Sequence, residues 1–225
     1  EQVIAGQGTI GLEILKEVPD LDGIVVPVGG GGLISGIATL VKKKVPRVKI
    51  IGVQSVNAPS AFISLKKKGI VEVKVKPTLA DGIALRKVGE ITFPIIQRNV
   101  DEIVTVDEEE IASAILMLME RKRVVAEGAG AAPLAALLSR RWKTRLKKVV
   151  LVISGGNIDV NLLDRIIEKG LSQTGRMVRI GVLLRDVPGS LAKLSDLVAE
   201  HHANILHILH ERADKNIPIG FSKVI

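Results

Sequence analysis

Val28-Gly29-Gly30-Gly31-Gly32-Leu33-Ile34-Ser35-Gly36 joins an apolar run, Gly23 to Val28, to an amphipathic one, Leu33 to Lys44. The first reads as a buried strand and the second as a helix. Four successive residues without a Cβ let backbone N–H groups close around an anion. The helix N-terminus adds a favourable partial charge, so a phosphate is the natural guest. Such a loop can also be a tightly packed turn, but four glycines carry a high entropic cost for packing alone. Two nucleotide readings fail. The dinucleotide fingerprint G-x-G-x-x-G would need glycine at Ile34 or Ser35, and the following strand ends in Gln54 rather than a ribose-binding acid. A P-loop would need Gly36 to be followed by Lys and Ser/Thr, where Ile37 and Ala38 stand.

Outward from this loop, apolar runs alternate with amphipathic stretches. Thr9 to Glu17 reads as a helix, Val48 to Val53 and Asp101 to Val106 as strands. Asp107 reads as an N-cap with Glu110 completing a capping box, followed by Ile111, Ile115, Leu118 and Met119 at helical spacing. Arg121, Lys122 and Arg123 fall in the last turn, where the helix dipole favours cations. Gly130 to Ser139 reads as a helix, Lys148 to Ile153 as a strand, and Val160 to Lys169 as a helix. This alternation predicts an α/β fold with a mostly parallel sheet covered on both faces. Ligands of such sheets bind at the carboxyl ends of strands. Ser154-Gly155-Gly156-Asn157 occupies one such end. Alone it is a good turn; beside the glycine loop it becomes the second wall of one pocket.

Composition narrows the function classes. Among the 225 residues, aromatics make up 2%, so the core must be aliphatic. With no Cys there is no disulfide framework, thiolate metal site or cysteine nucleophile, which fits a cytoplasmic location. No stretch reaches the roughly 18 apolar residues of a membrane span. The net charge of +8 raises the question of nucleic acid. The basic runs Lys42 to Lys44, Lys66 to Lys68 and Arg140 to Lys148 read as solvated helix ends instead, and no nucleic-acid-binding motif accompanies them.

Six segments occur in a telling order: Ala5-Gly6-Gln7-Gly8-Thr9, the four-glycine loop, Gly52-Val53-Gln54-Ser55, Ala80-Asp81-Gly82, Glu127-Gly128-Ala129-Gly130-Ala131 and Ser154-Gly155-Gly156-Asn157-Ile158-Asp159. Their succession, from about Val3 to Lys169, resembles the serine/threonine dehydratases, pyridoxal-phosphate (PLP) enzymes of the tryptophan-synthase-β fold type. The resemblance implies a fold-type-II large-domain parallel sheet, here incomplete. It implies that Gly29, Gly30, Gly31 and Gly32, with Leu33, hold the PLP phosphate. Ser154, with Gly155, would meet the pyridine nitrogen, and Gly82 and Glu127 would lie near ring or substrate. Glu127 is equally accounted for as an acid at a helix N-terminus. The implied reaction is dehydration and deamination of L-threonine to 2-oxobutyrate and ammonia, with L-serine giving pyruvate. The family's Schiff-base lysine, in a Ser/Phe-Lys-x-Arg-Gly motif, is not found in this sequence; Leu85-Arg86-Lys87 lies in the wrong place. With Glu1 rather than Met at the start, the expectation is a missing N-terminal segment and a chain inactive alone. Related racemases hold a divalent ion through an acid where Gln54 stands, so no metal is expected. A serine racemase and a non-catalytic amino-acid-sensing chain are the alternatives.

The pattern changes after Lys169. Residues 1–169 form the expected dehydratase part, 170–176 a linker, and 177–225 a partial α+β module. There Val178 to Leu184 reads as a strand, Ser190 to Glu200 as a helix, Asn204 to Arg212 as a strand and Ile219 to Ile225 as another. Leu184-Arg185-Asp186-Val187-Pro188-Gly189-Ser190-Leu191 resembles the first βα turn of an ACT domain. That resemblance implies an amino-acid effector held by Asp186, Gly189, Asn204 and Ile205 at an interface between copies, hence a homo-oligomer. All four histidines lie here. On a strand, His207 and His210 point to opposite faces, which speaks against a metal cluster.

Overall fold

The computed structural model describes residues 1–213 and 215–225. The chain divides into two compact units, Glu1–Gly170 and Leu171–Ile225.

In the first unit the chain runs α1 (Gln2–Glu17), β1 (Gly23–Pro27), α2 (Gly32–Lys44), β2 (Lys49–Ser55), α3 (Ser60–Lys67), α4 (Thr92–Asn99), β3 (Glu102–Val106), α5 (Glu108–Met117), α6 (Gly128–Leu138) and β4 (Val149–Leu151). Helix α7 (Val160–Gln173) follows and runs across the boundary at Gly170. The four strands form one parallel sheet in the order β3-β2-β1-β4. Alternate residues of the strands face two aliphatic layers. Val25, Ile51, Val53, Val104 and Val106 pack against α5 and α6. Ile24, Val26, Val28, Ile50 and Ile103 pack against α2 and α4. Every residue of β1 is buried, as a strand covered on both faces requires.

Helix α1 begins seven residues before the expected Thr9. Glycines lower helix propensity, but here they let two helices touch. A Cβ on Gly36 would stand 2.3 Å from the Ile4 carbonyl oxygen, and one on Gly8 3.4 Å from that of Gly36. The capping box at Asp107 and Glu110 is present, with both bonds made. The expected last turn at Arg121 to Arg123 differs: α5 stops at Met117, and Leu118–Lys122 is a wider π turn ending on Arg123 at φ 58°. The expected linker begins as helix, since α7 continues to Gln173.

The second unit holds β5 (Val182–Arg185), α8 (Ser190–Glu200), β6 (His210–Glu211) and β7 (Phe221–Val224), with an antiparallel sheet ordered β5-β7-β6. Most of the expected Asn204 to Arg212 strand is not ladder. His210 and Glu211 pair with β7 and Leu209 exchanges both backbone bonds with Ile225, so His207 lies outside the strand and the opposite-faces reading of His207 and His210 has no strand to rest on.

The amino-terminal edge of the parallel sheet is fastened by two carboxylates. Asp22 accepts from the Lys147 and Lys148 N–H groups, both at 2.9 Å, tying the entries of β1 and β4. These bonds hold its carboxyl below the usual range. Asp101 accepts from the Ile50 N–H at 2.8 Å and pairs with Lys42 at 2.6 Å and Lys49 at 2.9 Å. Burial pushes the Asp101 carboxyl up, but the bonds from Lys42, Ile50 and Lys49 outweigh it and leave it below the usual range. A carboxyl depressed by folding stabilises the fold above its unfolded pKa and loses that contribution as pH falls through the folded one. Asp101→Asn is therefore expected to destabilise the chain by about 1 kcal/mol near neutral pH. In urea unfolding this gap should shrink once pH drops below about 4.

Candidate functional site

The sheet order places the glycine loop. From β1 the chain steps to β2 and β3 on one side, while β4 lies on the other side of β1. The carboxyl ends of β1 and β4 therefore flank a topological switch point, where open α/β sheets bind ligands. The loop Gly29 to Gly32 leaves β1 there, and Ser154 follows β4 by three residues.

Within the loop the four glycines have different reasons to be glycine. Gly31 is the N-cap of α2 at φ 92°, and a Cβ on it would stand 2.7 Å from Ile96 Cδ1 and 2.8 Å from Thr92 Oγ1. At Gly29 it would stand 3.2 Å from the Ile83 Cα. Gly31 is demanded by its backbone and its packing, and Gly29 is closely fitted. Gly30 and Gly32 are not: the nearest atoms would be Leu85 Cδ1 at 3.4 Å and Val3 Cγ1 at 3.7 Å. Their lack of a Cβ keeps room that the protein's own atoms do not need. The Gly30 carbonyl is turned to α4, accepting from the Gly89 N–H at 3.1 Å and lying 2.5 Å from Thr92 Oγ1. Among the described residues, none of the N–H groups of Gly29 to Leu33 donates to a protein acceptor. The loop thus presents donors without acceptors at a helix N-terminus, the chemistry of an anion cradle.

Gln54 buttresses this loop from below. Fully buried, its Nε2 donates to the Val28 carbonyl at 3.0 Å and lies 3.4 Å from Ser60 Oγ, while its Oε1 accepts from the Phe62 N–H at 3.0 Å. The Gln54 amide is thus engaged at both ends by the scaffold.

Three of the other expected residues converge. Glu127 is the N-cap of α6, and its side chain makes no capping bond. Its carboxylate lies between two glycines instead. A Cβ on Gly82 would be 3.2 Å from Glu127 Oε1, and one on Gly155, at φ 78°, only 2.3 Å from it. Glu127 Oε2 accepts from the Asn157 N–H at 3.2 Å, and the Glu127 N–H donates to the Gly155 carbonyl at 3.2 Å. The start of α6 is pressed close on both sides: a Cβ on Gly128 would meet the Leu79 carbonyl oxygen at 2.0 Å, and one on Gly130 the Ser154 carbonyl oxygen at 1.8 Å. Gly29 abuts the turn Asp81–Ile83, so the loop, Gly82, Glu127 and the Ser154–Asn157 turn form one contiguous edge. Ser154 is exposed there.

Sequence reasoning missed Glu108. Its Oε1 lies 2.7 Å from Thr78 Oγ1, 3.0 Å from Ser55 Oγ and 3.2 Å from Asn57 Nδ2, and its Oε2 accepts from the Leu79 N–H at 2.5 Å. In sequence it is one of three acids opening a helix, with nothing to set it apart.

In the second unit a pocket is lined by Asp186, Gly189, His210 and Arg212 among others. Asp186 Oδ2 accepts from Arg212 Nε at 2.8 Å. Asn204 and Ile205 are exposed and are not among the residues lining that pocket.

Comparison with known proteins agrees with this geometry. The sequence pattern of the pyridoxal-phosphate dependent enzymes matches residues 1–155. The chain belongs to that family. The ACT-domain pattern matches residues 178–224. The L-threonine ammonia-lyase of Thermotoga maritima is 55% identical over 222 residues, covering 99% of this chain and 55% of that protein. The chain spans about half the length of the curated relatives it matches. Among solved structures, a T.th. threonine deaminase aligns with a TM-score of 0.66 and 42% identity, over 69% of this chain and 58% of that one. Maize serine racemase aligns with a TM-score of 0.68 and 34% identity, over 76% and 54%. The fold-type-II reading of the parallel sheet is that of the pyridoxal-phosphate dependent enzymes, and the donor loop fits the phosphate of their cofactor.

The unequal glycines give a test. Gly31→Ala should lower stability by about 2 kcal/mol, from left-handed strain and crowding against Thr92. Gly32→Ala should leave the thermal midpoint unchanged or slightly raised, since only Val3 Cγ1 approaches the new methyl. Calorimetry of the two variants checks the contrast.

Proposed function

We propose that the chain supplies the cofactor-holding part of a PLP-dependent ammonia-lyase. It converts L-threonine to 2-oxobutyrate and ammonia, and L-serine to pyruvate and ammonia. The observation that carries this reading is the row of unused N–H donors from Gly29 to Leu33 at the switch point. The naming of its relative as an L-threonine ammonia-lyase supports the substrate. Bound there, PLP supplies an electron sink for loss of the α-proton and the β-hydroxyl. The N–H groups of Gly29, Gly30, Gly31, Gly32 and Leu33 hold its phosphate. Ser154, at the end of the adjacent strand, offers a hydroxyl to the ring nitrogen, with Gly155 leaving room beside it. A hydroxyl, unlike a carboxylate, does not keep a proton on that nitrogen, which suits elimination better than transamination. Gly82 and Glu127 border the reacting side. No Ser/Phe-Lys-x-Arg-Gly segment occurs in these 225 residues, so the Schiff-base lysine comes from the rest of the protein and the chain alone is inactive.

The second unit, as an ACT domain, takes an amino-acid effector, with Asp186, Gly189, Asn204 and Ile205 as its contacts and a homo-oligomer as its setting. Among the described residues no helix is long and apolar enough to cross a membrane, and the metabolic role proposed here belongs in the cytoplasm. Serine racemization is the second reading, favoured by the maize structure's similarity.

A chimera in which this chain replaces the matched segment of the Thermotoga maritima relative separates them. It should release 2-oxobutyrate from L-threonine, and Ser154→Asp should slow that release by about tenfold or more. A chimera that binds PLP and makes D-serine, without 2-oxobutyrate or pyruvate, would establish the racemase reading instead.

A further inference from the structure

We propose that Glu108 is a positioning residue for the cofactor edge, acting through the strap Pro77 to Ile83; this rests on the reading of that edge as a PLP site. Glu108 stands in the first turn of α5 and gathers donors from two separate segments: Ser55 and Asn57 after β2, and Thr78 and Leu79 on the strap. The strap has no strand or α-helix of its own before the short turn Asp81–Ile83. Its path is set by what grips it.

Three grips succeed one another along the strap. Asn57 Nδ2 donates to the Pro77 carbonyl at 2.8 Å. The Glu108 carboxylate holds Thr78 and the Leu79 N–H. Then the Leu79 carbonyl lies against Gly128 so closely that a Cβ there would be 2.0 Å away. With Leu79 fixed from both sides, Gly82 is delivered to Glu127 and Ile83 to Gly29. Glu108 touches neither of those residues, so its influence passes through the backbone of Leu79 and Ala80. A carboxylate suits this place because it is acceptor-only: it can take both hydroxyls, the Asn57 amide and the Leu79 N–H together. Glutamine keeps one oxygen but turns an NH₂ toward the Leu79 N–H, leaving that donor opposed.

The test takes as parent the chimera described above, in which the rest of the protein is supplied, and compares it with its Glu108→Ala, Glu108→Gln and Asp101→Asn variants. Asp101→Asn removes a carboxylate with similar backbone grip from the opposite edge of the sheet. Each is titrated with pyridoxal phosphate, followed by circular dichroism in the cofactor's absorption band, and the amide hydrogen exchange of residues 77–83 is measured without cofactor. Glu108→Ala should weaken binding by about tenfold and alter the dichroic band, and speed exchange at Leu79 to Ile83 with β2 and β3 still protected. Glu108→Gln should fall between parent and Glu108→Ala. Asp101→Asn, though destabilised, should keep the parent's affinity and band. Equal affinity and equal exchange in parent and Glu108→Ala would overturn the proposal while leaving the site reading in place. Failure of the parent itself to bind pyridoxal phosphate would bring down the site reading and the proposal with it.

Discussion

The parallel pairing of β1 with β2 on one side and β4 on the other is the constraint on which the first unit depends. Burying β1 completely means that its backbone can be satisfied only by two flanking ladders. Those ladders put the ends of strands distant in sequence side by side. The glycine loop after β1 and the serine turn after β4 are separated by more than 120 residues yet leave neighbouring strands in the same direction. The site is a by-product of that register, and Gly52 shows how closely the sheet is drawn to it: a Cβ there would be 2.8 Å from Val28 Cγ2, just before the loop.

The two edges of the sheet are built with opposite chemistry. At the amino edge Asp22 and Asp101 collect backbone donors and lysines, forming closed charge networks. At the carboxyl edge the loop keeps its donors unmatched and its side chains absent. Unmatched donors are tolerable only where solvent or a ligand reaches them, and the carboxyl edge is where the loop leaves them.

Much of this was legible in the sequence where the signal is local. The strand–loop–helix around Gly29 to Gly32 and the capping box at Asp107 could be read because the residues that make them are neighbours. The placement of Gly82, Glu127 and Gly155 came through resemblance alone; nothing in composition says that a carboxylate will sit between two glycines far apart in the chain. Glu108 was invisible for the same reason, its partners lying 29 to 53 residues away. Helix α4 was missed because Thr92–Asn99 is short and carries Pro94 in its first turn, a pattern that reads equally as loop. In the second unit the error ran the other way. Ile205, Leu206 and Ile208 have strand-like composition, but β propensity is expressed only where a neighbouring strand accepts the ladder, and the pairing with β7 and Ile225 begins at Leu209.

The crossing of α1 over α2 has a mechanical consequence. Most helix pairs meet through side chains that can change rotamer and absorb a small displacement. Here Gly36 meets the Ile4 carbonyl and the Gly8 backbone with no side chain between them. The contact is a bearing without slack. Four residues before Gly36, α2 begins at the glycine loop, so a tilt or slide of α1 is handed to that loop as rigid motion of its supporting helix. Whatever pushes on α1 adjusts the aim of those N–H groups, and Gly8, within the Ala5 to Thr9 motif, bears on the loop without belonging to it.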